Sequence, residues 1–405
     1  MKDIINKCDL YILVWVIHIV HDYWGLYGST MSVGVLFCLY AWSLYYCYVT
    51  VTKYKMPSFL KIWTVLFVLF SIYALIRMFN PMGLSYKIGF EINSRMYLIE
   101  HWTSMLPIYP FYVFSKTGQL NKTVIKRWAL VLIGVAIIQY NYGQVIAYAK
   151  IASLSEDSGF TNNQGYFIAM VLPLMFLWNE KPIIQYVGIA ILMFYVLMAV
   201  KRGAIIVAFL CLFIQLLSSL KRFNKRKSVI IILAVATLCI LGYNFITNLL
   251  STNEYFAYRL ENSLEGDTSG RDSLYSSLFS AFLNNSNFFQ LLIGWGADGT
   301  VLLMQQQAHN DWLEVLIDLG IVGIVVFVVF WVRAFITCWR FENKELKVLF
   351  LMVIIMLFVR TFFSMSINDM YISSTVVLGY CLANSENKSS KIHHYVKTDN
   401  SIQNI

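Results

Sequence analysis

"QAHNDWLEVLIDLGIVGIVVF" runs from Gln307 to Phe327. It opens on polar residues and passes directly into an apolar run that continues to about residue 338. A hydrocarbon core is crossed by about 20 apolar residues in a helix, so the stretch reads as the outer mouth of a membrane helix. Three acids do not suit that setting. Asp311, Glu314 and Asp318 fall on one helical face. A carboxylate at membrane depth is costly and needs a partner or a wet cavity. Asp311 and Glu314 have the spacing of an N-cap and its partner three residues on, which predicts a helix starting near Trp312. Gly320 and Gly323 predict close helix packing.

The rest of the chain repeats the apolar pattern. Of 405 residues, 59% are hydrophobic and 13% charged, about half the charge of a soluble domain. We expect an all-α polytopic membrane protein of about twelve transmembrane helices, near 8–27, 30–52, 59–79, 95–114, 127–147, 163–178, 183–199, 203–220, 228–247, 311–338, 346–365 and 370–386. The first run lacks a small-residue cleavage site and is expected to be retained. The seven cysteines include no C-x-x-C pair, so neither a metal site nor a disulfide framework is indicated.

Net charge is +9. The basic residues sit in short loops, which points to orientation in the membrane and away from nucleic acid. Most lie on one side, with "KRFNKRK" (221–227) the densest run. That side is expected to be cytoplasmic, and both termini with it. Four domains follow: a transmembrane bundle over 1–246, a large periplasmic helical loop over 247–310, C-terminal membrane helices over 311–386 and a polar cytoplasmic tail over 387–405. Within the loop, Leu274, Leu278, Ala281 and Phe282 recur at helical spacing, and Ser269 with Asp272 has the form of a capping box.

The candidate chemistry gathers on the other, outer side. His309 precedes the helix at the positive end of its dipole, which disfavours imidazolium and leaves a ring able to accept a proton. The plainer alternative is an interfacial histidine bonded to a backbone carbonyl. Arg77, Arg202, Arg271 and Arg360 lie near outer ends of segments. A guanidinium there is expensive unless it faces a polar cavity or an anion, and its fork suits a diphosphate. Asn162 and Asn163 enter a membrane segment in "GFTNNQGYFIAMVLPL" (159–174), a place an ordinary helix cap would also occupy. "IGWGADG" (293–299) reads as a tight turn. No carboxylate cluster is evident outside.

These motifs together resemble the bacterial O-antigen ligase and polymerase superfamily of membrane glycosyltransferases. His309-Asn310, nine residues, Gly320, two residues, Gly323 is similar to the hallmark that follows its large periplasmic loop, with Asp318 at its acidic position. "KRGAIIVAF" (201–209) is similar to its Ser-Arg-Gly element with Lys201 in place of serine, and "GRDSLYSSLFSAFLNNSNFFQLLIGWGADG" (270–299) to its arginine helix ending in Gly-x-Gly. The similarity covers roughly 155–380. An arginine often found before the asparagine element is missing; "SLSEDSGF" is acidic there.

The resemblance implies a glycosyltransferase C-like fold in the bacterial inner membrane, with the active site facing the periplasm. It implies donor and acceptor glycans on undecaprenyl diphosphate, a membrane lipid environment, a chain-length regulator among its partners, and no metal, cofactor or nucleic acid. It assigns diphosphate binding to Arg202, Arg271 and Arg360 and catalysis to His309 and Asp318, with Asn163, Asn310 and Arg77 near substrate. Polymerase is favoured over ligase. From another class, a transporter or flippase would place its polar groups nearer mid-membrane, and a scaffold in polysaccharide assembly would need none of them.

Overall fold

The computed structural model describes residues 6–23, 29–79, 94–153, 164–199, 201–222, 270–370 and 372–385, with isolated positions at 244, 247, 248 and 251. Asn163, the expected segment at 228–247, the first part of the outer loop and the C-terminal tail lie outside them. Among the described residues the chain is all-helical. The helices are α1 Lys7–Tyr23, α2 Thr30–Lys53, α3 Ser58–Phe79, α4 Ser94–Met105, α5 Ile108–Lys116, α6 Lys122–Ser153, α7 Gln164–Val171, α8 Pro182–Met198, α9 Arg202–Arg222, α10 Arg271–Asn285, α11 Phe288–Ile293, α12 Gly299–Met304, α13 Asp311–Trp339 and α14 Lys344–Arg360. A last helix, α15, covers 374–385.

Among the described residues, five helices are long and apolar enough to cross a membrane: α2, α3, the first part of α6, most of α9, and α13. The segment expected at 95–114 is instead two helices, because Pro107 stands between them and cannot continue an α-helical ladder. The segment at 163–178 likewise changes from α7 into a 3₁₀ helix, Leu172–Trp178, around Pro173.

One aromatic and aliphatic core ties the bundle together. Phe59 and Trp63 of α3 meet Phe330 of α13, and Phe59 also meets Phe350 of α14. α3 packs on α4 and α13, and α14 on α9. Charged residues separate by end. Lys122 pairs with Glu180 at 2.5 Å and Glu345 at 3.4 Å, joining three loops of the side expected to be cytoplasmic. The other end holds Arg77, Lys201, Arg271, His309 and Arg360. There, Leu278 and Phe282 of α10 form a small second core with Ala308 and Ile317. The N-cap of α10 is Gly270, so the Ser269–Asp272 capping box is not what starts it.

Candidate active site

The site is built where α13 begins. Asn310 is its N-cap, accepting from the backbone N–H groups of Trp312 (2.9 Å) and Leu313 (3.2 Å). This corrects the expectation that Asp311 caps the helix. Asp311 is drawn away by a tertiary demand: its Oδ2 accepts from the buried N–H groups of Ser366 (2.9 Å) and Ile367 (3.2 Å). Glu314, the expected capping-box partner, has both oxygens taken by Thr300 Oγ1 and the Ala308 N–H, each at 2.6 Å. That grip fixes the backbone immediately before His309.

Gly320 changes the helix itself. Its φ of 66° and ψ of −162° interrupt α13, in a region essentially restricted to glycine. The broken turn frees carbonyls that the 293–299 turn then uses. Trp295 N–H donates to Ile317 O at 2.8 Å and Gly296 N–H to Asp318 O at 2.9 Å. A Cβ on Gly320 would lie 2.5 Å from Gly294 N and Leu292 O. So Gly320 works as a break first, and the two backbones close on it. Residues 321–339 carry one charge, Arg333, and at 1.5 Å per residue they reach about 28 Å, close to a hydrocarbon core of about 30 Å. The three acids therefore belong to a separate half-helix, 311–319, outside the apolar span.

Cations converge on the same mouth. Arg271 Nη1 donates to Phe363 O at 2.8 Å, and Asn310 Nδ2 to Phe362 O at 3.2 Å. Both thereby fasten the turn that follows α14. Arg360, 2% exposed, lies 4.3 Å from the Tyr166 ring centre, and the Lys201 ammonium lies 5.8 Å from the same ring. Such contacts are attractive and help hold two like charges near one another. His309 sits exposed at the rim with φ 52°. Partial burial, then the charges of Arg271 and Lys201, hold its imidazole below the usual range. The ring is thus a neutral base beside a cationic patch.

Other expected residues take different posts. Arg202 opens α9, half-buried beside Lys201; the positive charges that act on His309 are those of Arg271 and Lys201. Arg77 is buried and donates to Trp295 O (2.5 Å) and Ala297 O (3.3 Å), so it clamps the glycine turn. Asp318 accepts from Gly299 N–H at 2.8 Å and supports the same turn.

The absence of clustered carboxylates outside is also corrected. Glu100, Asp298, Asp311, Glu314 and Asp318 line one pocket beside the His309 rim, together with Tyr97, His101 and Gln307. Burial pushes the Asp298 carboxyl up to about 6 against the pull of Arg77. Glu100 and His101 carry no sequence signal, lying in the mostly apolar "MYLIEHW" (96–102). Among the described residues no group of three or more His, Cys, Asp and Glu is arranged to hold a metal ion.

Residues 187–328 match a family model described as O-antigen ligase (Wzy_C). The chain is similar there to O-antigen ligases. The matched stretch holds Lys201, Arg202, Arg271, His309, Asp318 and both glycines of the hallmark, while Tyr166 and Arg360 lie outside it. The resemblance read from the motif is borne out over these residues. No curated protein matches the chain.

Proposed function

We propose that this protein is a membrane glycosyltransferase that polymerises undecaprenyl-diphosphate-linked oligosaccharide repeats at the periplasmic face. The observation that carries this reading is that His309, at the start of α13, lies within electrostatic reach of Arg271 and Lys201, inside the stretch that matches the O-antigen ligase model. Lys201 and Arg271, backed by Arg360, hold the donor diphosphate. Their charges stabilise the negative charge that grows on it as the glycosidic C–O bond breaks. His309 takes the proton from the acceptor hydroxyl as that oxygen bonds to the anomeric carbon, and the lipid diphosphate departs. Asn310 keeps the rim in place, and Glu314 holds the backbone before His309.

In this reading the chain lies in the inner membrane with about twelve spans, and the end bearing His309 is periplasmic, as the lysine and arginine bias suggests. Its substrates are lipid-linked glycan donor and acceptor. A second reading, compatible with the family description O-antigen ligase, is a ligase that passes the finished polymer to lipid A-core. Deleting the gene in its own host and running the surface polysaccharide on a gel separates them. Core bearing a single repeat supports polymerase. Bare core with accumulated lipid-linked polymer supports ligase. An unchanged ladder removes both.

A further inference from the structure

The pocket beside the His309 rim has a chemistry of its own. Its closed part has a volume of about 30 Å³, room for about two water-sized groups, and it opens to solvent beyond them. His101 is 5% exposed and reaches into it. Its Nδ1 lies 2.8 Å from Tyr97 O. A carbonyl oxygen only accepts, so Nδ1 carries the proton and Nε2 presents a lone pair. Phe70 and Tyr97 hold the ring from 4.1 and 4.2 Å, so it cannot swing to another partner. Among the described residues no protein donor meets Nε2, which faces the pocket as an open acceptor.

The neighbouring groups have the same polarity. Glu100 already accepts from Asn368 Nδ2 at 2.8 Å, Asp311 from two backbone N–H groups, and Glu314 from Thr300 and Ala308. They are fixed in place and add acceptor oxygens, and Asp298, ionised above about pH 6, adds negative charge. A matching ligand brings donors and no carboxylate. The pocket continues from Gln307 and Asp311, which stand on either side of Ala308-His309-Asn310, and so lies where an acceptor sugar would extend from a hydroxyl held at His309.

Resting on the glycosyltransferase reading above, we propose that this pocket receives the hydroxyl- or amine-bearing edge of the acceptor sugar and turns away sugars that carry a carboxylate. Its narrowness suits one exocyclic group and the ring edge beside it, not a whole ring.

The test uses the full chain in lipid nanodiscs and saturation-transfer NMR with three probes: a methyl hexoside, its 2-amino counterpart and the matching methyl hexuronide. The first two should receive saturation, strongest along one ring edge, and the hexuronide none. His101→Phe keeps the aromatic stack and removes Nε2; it should weaken the first two by on the order of ten-fold. Asp298→Asn should begin to admit the hexuronide. Binding of inorganic diphosphate, lost in Arg271→Ala, is measured in parallel and also shows that His101→Phe is folded. Hexuronide binding equal to the neutral sugar overturns the inference. So does an unchanged signal in His101→Phe, or silence from all three probes in protein that binds diphosphate. Sugar binding without diphosphate binding would instead overturn the functional reading and leave the pocket standing.

Discussion

Replacing Gly320 by alanine should open the site without touching any residue that meets substrate. Two costs add. The backbone there, φ 66° and ψ −162°, costs a side chain of order 1–3 kcal/mol. The new Cβ would also stand 2.5 Å from Gly294 N and Leu292 O, and backbone atoms cannot rotate aside. Relief means lifting the 292–296 turn, with loss of the Trp295–Ile317 and Gly296–Asp318 hydrogen bonds at about 0.5–1.5 kcal/mol each. The sum is about 2–6 kcal/mol, a factor of roughly 30 to 10⁴ against the closed turn. Hydrogen exchange reads it directly: the Trp295 and Gly296 amides should lose about that much protection, and polysaccharide chain length should collapse at normal protein level. Gly134→Ala in α6, where a Cβ meets nothing within 4 Å, is the control and should gain roughly 0.5–1 kcal/mol. Unchanged exchange at 295 and 296 in Gly320→Ala would refute the account of the kink.

A neutral His309 base loses activity as pH falls through its pKa, and that pKa lies below the ordinary imidazole value; the acid limb of kcat should therefore lie below about 6.5. Lys201→Ala removes a repelling charge and should move that limb upward, whereas Lys201→Arg should leave it in place. An unmoved limb in Lys201→Ala would separate the two residues. The Asp298 carboxyl titrates near 6 when folded against a reference of 3.8, so ionising it is penalised in the folded state. Its contribution to stability should be greatest below about pH 4, fall as pH rises to 6 and then level; Asp298→Asn should flatten this part of the slope in thermal melts, and an unaltered slope would count against it. Phe288 and Phe289 are 72% and 69% exposed on α11, next to a helix end bonded to α3 through Tyr73. Spin labels at these positions should be relaxed by lipid-soluble oxygen more than by a water-soluble nickel chelate, and the reverse would place α11 in water.

The apolar runs marked most helices because membrane helices must bury every backbone group internally and need apolar length to do it. The expected helical face of 271–285 was half legible: Leu278 and Phe282 are buried, while Leu274 and Ala281 are only partly so. The interruptions were hidden for different reasons. Pro107 announces a break only once its place inside a segment is known. Gly320 has the same one-letter sign whether it lets helices pack or breaks one; the choice is made by Gly294, far back in the chain. Asn310 and Asp311 are both good caps, and a distant pair of N–H groups at 366 and 367 decides between them.

In the site, the histidine rim and Arg271 and Arg360 could be named from their positions, since charges at segment ends have few other uses. Lys201 was visible only as a departure from a motif. Its weight beside Arg202 comes from Tyr166, whose ring gathers it with Arg360. The acceptor-rich pocket was not legible. Glu100, Asp298 and Glu314 come from three separate segments, and no local spacing joins them.

The central claim is that proton removal at His309 and charge stabilisation at Lys201 and Arg271 occur in one site. The direct measurement is the single-turnover rate of glycosyl transfer between lipid-linked repeats by purified protein, for wild type, His309→Ala, Arg271→Ala and the double variant. Each single change should slow transfer by about 10² or more, and the double should fall short of the product of the two, as groups sharing one transition state do. Transfer at the wild-type rate in His309→Ala would contradict the account.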